Sequence, residues 1–202
     1  MRNKNFDPDI ALSQAMELFW SKGYEASSME DLLQVTNLSR SSFYNTFGNK
    51  REMYESVLAH FSKLSFTASQ ILFTGKSMQA ALIDFFRLTF FSPSLTLENG
   101  CLFVNTILEQ KGNDERLAGV ASNTLKLIEH QFQLFFDQAM TKNELSNQIS
   151  STELAAYFMT VIKGLRVAAR EGKTKTELER TFQIAIQVLQ PFNNRHQHEQ
   201  FI

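Results

Sequence analysis

Four times in this chain a Ser, Thr or Asn stands three residues ahead of a Glu at the head of a helical apolar pattern. The pairs are Ser27 with Glu30, Asn49 with Glu52, Ser150 with Glu153, and Thr174 with Glu177. Each spacing fits a capping box, in which two side chains satisfy backbone N–H groups that a helix start leaves without partners. Between these starts, apolar residues recur three and four apart almost to the end, and no segment alternates for long like a strand. The expected fold is all-α, with about nine helices.

Residues 10 to 54 read as three short helices and the start of a fourth. Ala11, Ala15, Leu18 and Phe19 make the stripe of the first, which stops at Gly23. Met29, Leu32, Leu33 and Val35 are the apolar residues of the second. Asn37 tolerates left-handed backbone and suits a tight corner. Ser39 then caps a third helix. In it Phe43 and Phe47, one turn apart, face inward. Ser41 and Asn45 are turned outward, with Ser42 and Tyr44 on the flanks. A helix surfaced by Arg40, hydroxyls and an amide suits groove edges and phosphates. Residues 32 to 51 hold three basic side chains and no acidic one. Lys50 and Arg51 open the fourth helix against its dipole, an arrangement that a nearby phosphate favours.

These residues resemble the TetR/AcrR family of transcriptional regulators. The match is ungapped from Ala11 through Met53. It includes the L-F-x-x-x-G-Y run at 18 to 24, S-R-S-S-F-Y-N-T-F at 39 to 47 and K-R-E-M at 50 to 53. The resemblance implies an N-terminal three-helix helix-turn-helix DNA-binding domain and a C-terminal helical ligand-sensing and dimerisation domain. It places Arg40, Ser41 and Asn45 at base-facing positions. It places Ser28, Ser42, Tyr44, Thr46 and Lys50 against the DNA backbone. Asn37 and Ser41 stand where the family usually or often has Gly. Asn45 and Thr46 stand where it frequently has His, which alters the expected base preference but not the docking.

The expected division is 1–50 for the reading domain, 51–190 for the sensing and dimerisation domain, and 191–202 for a frayed tail. A net charge of −1 leaves only modest non-specific attraction to nucleic acid. No signal peptide or spanning apolar run appears, so a soluble, cytoplasmic protein without a membrane partner is expected. One cysteine excludes an internal disulfide. The four His lack metal-ligand spacing, and no nucleotide-binding or nucleophile-elbow motif is present. No cofactor, no metal and no enzymatic activity are expected.

Beyond residue 54, helices are expected from Lys50 to the low seventies, Ser77 to Phe91, Cys101 to Gln110, Leu117 to about Met140, 151 to 171 and 175 to 190. The resemblance implies that the last two pair with their mates in a homodimer. Gly164 suits a close crossing there, and Phe182, Ile186 and Leu189 form a stripe assigned to the same interface. Nineteen Phe residues in 202 suggest an aromatic core with an apolar pocket. Its candidate lining is Phe86, Phe90, Phe103 and Phe136, with Asn105, Glu109, His130, Tyr157 and Lys163 as polar anchors.

Cys101 opens a helix after Gly100. A helix start favours the thiolate, and Arg166 or Arg170 would favour it further. The G-C-L run resembles segments in one branch of the family, some of whose members sense electrophiles or oxidants by a thiol. The expected function is a one-component repressor of a pseudo-palindromic double-stranded operator, released by a small apolar inducer or by an electrophile. A helical binding or adaptor protein that has lost DNA binding is the rival reading.

Overall fold

The computed structural model describes residues 6–92, 97–145 and 148–189. Among the described residues there are nine α-helices, two short 3-10 turns and no strand. The helices are α1 (Pro8–Lys22), α2 (Met29–Thr36), α3 (Arg40–Phe47), α4 (Lys50–Ser69), α5 (Met78–Phe91), α6 (Leu102–Gln110), α7 (Glu115–Thr141), α8 (Ser151–Arg170) and α9 (Lys175–Gln187). The 3-10 turns are Gln70–Phe73 and Leu97–Asn99. The tail expected to fray, 191–202, lies outside the described residues.

Local chemistry explains most of these boundaries. Asn49, Ser150 and Thr174 each accept from the N–H three residues on, and the facing Glu returns the bond. At α2 the box is displaced by one residue. Ser28, not Ser27, is the cap, and Asp31 rather than Glu30 completes the box. Ser27 is buried and donates to the Gly23 carbonyl at 2.6 Å instead. Asp114 caps α7 from farther upstream than the apolar pattern indicated, accepting from the N–H groups of Arg116 and Leu117. Cys101 is the N-cap of α6 rather than its first helical residue.

α1 to α3 pack on the start of α4 around Phe19, Leu32, Phe43, Phe47 and Met53, all buried. The larger bundle closes around phenylalanines. Phe86 stacks on Phe182 with ring centroids 4.1 Å apart. Phe85 meets Phe132 edge-on at 5.0 Å, and Phe136 meets Phe158 at 5.3 Å. Such pairs add to the large apolar area each ring removes from water.

That packing corrects several expectations. Phe182, Ile186 and Leu189 are buried within this one chain, so they belong to its core and not to an interface. The opposite face of α9 is the free one, with Ile184 62% exposed and Val188 also exposed. Phe86, Phe90, Phe103 and Phe136 are fully packed. They line neither the small cavity beside Leu72, Phe73 and Glu144 nor the groove between α8 and α9. His130 is exposed on α7 and turned to Gln133, away from the aromatic core, while Tyr157 is exposed on α8 and only meets the core at its rim, edge-on to Phe158 at 5.6 Å. Gly164 is exposed, and a Cβ there would meet nothing in its own chain.

Phe182→Ala is therefore expected to cost ~3–5 kcal/mol, as for a large ring removed from a packed core. Urea unfolding should show that loss at every protein concentration, because the contacts lie within one chain.

Candidate nucleic-acid interface

The corner between α2 and α3 is set by Asn37, at φ 51° and ψ 36° in the left-handed region. Asparagine adopts it at smaller cost than most side chains. Leu38 is then buried and Ser39 caps α3, accepting from the Ser42 N–H. With Phe43 and Phe47 inward, Arg40, Ser41, Tyr44 and Asn45 are exposed along one side. Ser42 and Thr46 are half-buried at its margins, and Ser28 is exposed at the head of α2. The structure thus gathers every residue assigned to the reading face onto α3 and its two flanking helix starts.

The charges around this face are already engaged. Arg40 donates through Nη2 to Glu30 Oε1 at 2.8 Å, with both side chains more than half exposed. An ion pair so exposed is weak, and an incoming anion can replace the carboxylate. Lys22 and Ser28 hold the Asp31 carboxyl well below the usual carboxylate range. Lys50 Nζ lies 4.4 Å above the Tyr24 ring and donates to the Glu25 carbonyl at 3.4 Å. Arg51 is not available to a phosphate in the way its sequence position suggested. Its guanidinium donates to Asp114 at 2.5 and 3.1 Å and pairs with Glu55 at 3.0 Å.

Arg51 belongs instead to a seam joining the reading helices to α6 and α7. Gly23 sits there at φ +91°, and any Cβ would run into the Glu109 carboxylate. Glu109 Oε2 accepts from the Tyr24 N–H at 2.9 Å. Gln110 donates to Glu25 at 3.1 Å, and the Tyr54 and Thr106 hydroxyls share a bond of 2.7 Å. Burial pushes the Tyr54 phenol up, against the pull of that bond. Glu109, expected as a ligand anchor, instead ties α6 to the α1–α2 turn. The sequence held one hint of it: a glycine followed by an aromatic residue at a helix end, where another element approaches the backbone.

The other end of α6 brings a second group together. Gly100, at φ +71°, packs against the backbone of Arg166 and the side chain of Arg170. Asn105 and Arg170 both donate to the Asn99 carbonyl, at 3.0 and 3.4 Å. Arg166 donates to the Thr89 carbonyl and lies 4.2 Å from the Phe90 ring centre. Burial lowers its affinity for its proton, and its electrostatic interaction with Cys101 opposes that. Cys101 is free and half-buried. Of the candidate sensor residues, Cys101, Asn105, Arg166 and Arg170 therefore come together. Lys163 is half-buried farther along α8. Among the described residues no cluster of His, Cys, Asp or Glu is arranged to hold a metal. No described helix is long and apolar enough to cross a membrane.

Residues 11–57 match the model of bacterial regulatory proteins of the tetR family, and residues 80–185 match a tetracyclin repressor-like C-terminal domain. The chain is 31% identical over 188 residues to the HTH-type transcriptional repressor ComR of Escherichia coli strain K12, covering 91% of this chain and 88% of that one. Two solved structures of cysteine-substituted variants of the TetR family regulator CifR, each with a 26-base-pair operator, are also similar. One superposes at a TM-score of 0.83 with 24% identity, over 94% of this chain and 100% of that one. The other gives 0.79 with 25% identity, over 95% and 100%.

The seam carries a pH signature. Arg51, first among several donors, draws the Asp114 carboxyl down from 3.8 to about 2. A depressed carboxyl contributes stability above its unfolded pKa and loses it as pH falls through the folded one. Asp114→Asn keeps a capping side chain but removes the charge. Its thermal midpoint should lie below wild type at pH 7, and the difference should shrink between about pH 4 and pH 2.

Proposed function

The chain belongs to the TetR family of bacterial regulatory proteins, and on that premise we propose a homodimeric repressor that reads a pseudo-palindromic operator through α3. It is a transcriptional regulator rather than an enzyme. The observation that carries the reading is the division of α3 into two faces. Phe43 and Phe47 hold it to the core while Arg40, Ser41, Tyr44 and Asn45 face outward. Arg40 exchanges Glu30 for a guanine edge, to which its planar fork can bond twice, and Asn45 suits adenine. Ser28, Ser42, Thr46 and Lys50 lie where the sugar–phosphate backbone would pass. Two such heads must meet successive major grooves ~34–36 Å apart.

The dimer forms through the outer faces of α8 and α9. Between them runs an open groove of about 480 Å³, lined by Val161, Gly164, Ala168, Leu178, Arg180 and Thr181. Exposed Tyr157, Val167, Ile184 and Val188 extend its apolar character. Gly164 leaves room for a partner helix, not for a neighbour in its own chain.

Release follows from α6. Its nine residues span about 14 Å at 1.5 Å each. The start of the helix carries Cys101, and its end carries Glu109 and Gln110 against the α1–α2 turn. A small ligand or a covalent adduct at the start tilts or shifts this rod and so changes the spacing of the heads.

Fluorescence anisotropy on the DNA upstream of its own gene tests the reading. Arg40→Ala should lose ~1–3 kcal/mol and relax preference at one operator position. Lys50→Ala should weaken all sequences alike and flatten the salt dependence. Unchanged affinity in both variants would remove α3 as the reading helix. For the dimer, sedimentation of Gly164→Leu should show a folded monomer. A dimer as tight as wild type would place the interface elsewhere.

A further inference from the structure

A buried guanidinium normally has a carboxylate beside it, because an unpaired charge out of water is costly. Among the described residues, no carboxylate pairs with Arg166. Its Nη2 is spent on the neutral Thr89 carbonyl, while Nη1 is shielded from solvent and has no hydrogen-bond partner. The Phe90 ring under the guanidinium offers only a weak negative face. Directly across from this part of α8 is the start of α6. There Gly100 packs on the Arg166 backbone, and Cys101 fills the cap position without making a side-chain cap bond. The first backbone N–H groups of α6 therefore receive nothing from their cap residue. Arg166 interacts electrostatically with Cys101, so two sets of donors, one cationic and one belonging to a helix start, lie at one junction. Both favour an anion.

We propose that this junction of α6 and α8 is an anion subsite that takes the carboxylate of a small organic ligand beside the Cys101 thiol. The inference rests on the reading of Cys101 as part of the sensing region and adds the chemical class of what is sensed. The anion takes the free Nη1 donor of Arg166 and leaves the rest of the ligand on the half-exposed side of Cys101. An electrophile that carries a carboxylate is thereby held where the sulfur can attack it. In the simplest case the thiolate displaces iodide from iodoacetate. A C–S bond forms as the C–I bond breaks, iodide leaves with the electron pair, and no oxidant is needed. The thiol proton goes to solvent. Arg166 is a positioning residue in this step, since it touches the ligand's carboxylate and not the reacting carbon.

Iodoacetate and iodoacetamide are near-isosteric and differ in charge, so their relative rates report the subsite. The alkylation rates of Cys101 in the intact protein are measured by mass spectrometry, with glutathione as the free-thiol reference. The expected iodoacetate-to-iodoacetamide ratio exceeds that of glutathione by about tenfold, the equivalent of one charge-assisted bond. Arg166→Gln should return the ratio to the glutathione value, and Arg166→Lys should keep part of the excess. A wild-type ratio equal to that of glutathione would overturn the subsite, as would failure of Cys101 to react with either reagent. Arg166 would then be only a strut between α5 and α8. The wild-type ratio decides even where a variant fails to fold. Operator release, followed in the same samples, separates the two readings. Release by both reagents at the glutathione ratio overturns the subsite and leaves the thiol sensor standing. Anion preference without release supports the subsite and overturns the sensor.

Discussion

The Glu109 carboxylate accepting the Tyr24 N–H is the contact on which the rest of the molecule turns. It is a charge-assisted bond to backbone, of a kind roughly twice as strong as a neutral one. It closes where the backbone is at φ +91°, which favours glycine, and a Cβ at Gly23 would push the carboxylate from its place. Around it the Gln110–Glu25 bond, the Arg51–Asp114 fork and the Tyr54–Thr106 hydroxyls make a polar seam over an aromatic floor of Phe19, Tyr24 and Tyr54. The reading helices are thus fastened to the far end of α6, the helix whose near end holds Cys101.

The charges fall into two classes with different uses. Arg51 is part-buried between Asp114 and Glu55, has several partners and is held in one geometry. Arg40 has one exposed partner on a neighbouring short helix. The first arrangement suits a fixed joint. The second suits a side chain that exchanges partners, because little is lost in the exchange. Sequence position alone grouped the three cations between residues 32 and 51 into one local positive field. Their partners divide them.

What the sequence revealed was what is local. The capping pairs at Asn49, Ser150 and Thr174, the corner at Asn37 and the inward turn of Phe43 and Phe47 depend on residues within one or two helical turns, so spacing suffices. The stripe of Phe182, Ile186 and Leu189 shows where spacing stops. Periodicity tells which residues share a face of α9 but not whether this chain or a second copy covers it. Here Phe86 and Phe158 cover it. Glu109 was read as a pocket anchor because its partner lies 85 residues away, on a backbone N–H that no side-chain pattern marks. At α2, Ser27 and Ser28 stand in tandem, and only the buried Gly23 carbonyl decides which one caps.

The central claim is that an event at the start of α6 reaches the operator through its far end. The direct measurement is operator affinity by anisotropy before and after alkylation of Cys101, in wild type and in Glu109→Ala. Transmission through the seam predicts that alkylation weakens binding by wild type and leaves Glu109→Ala where it began. An equal loss in both proteins would contradict it, because the signal would then reach α3 without the strut.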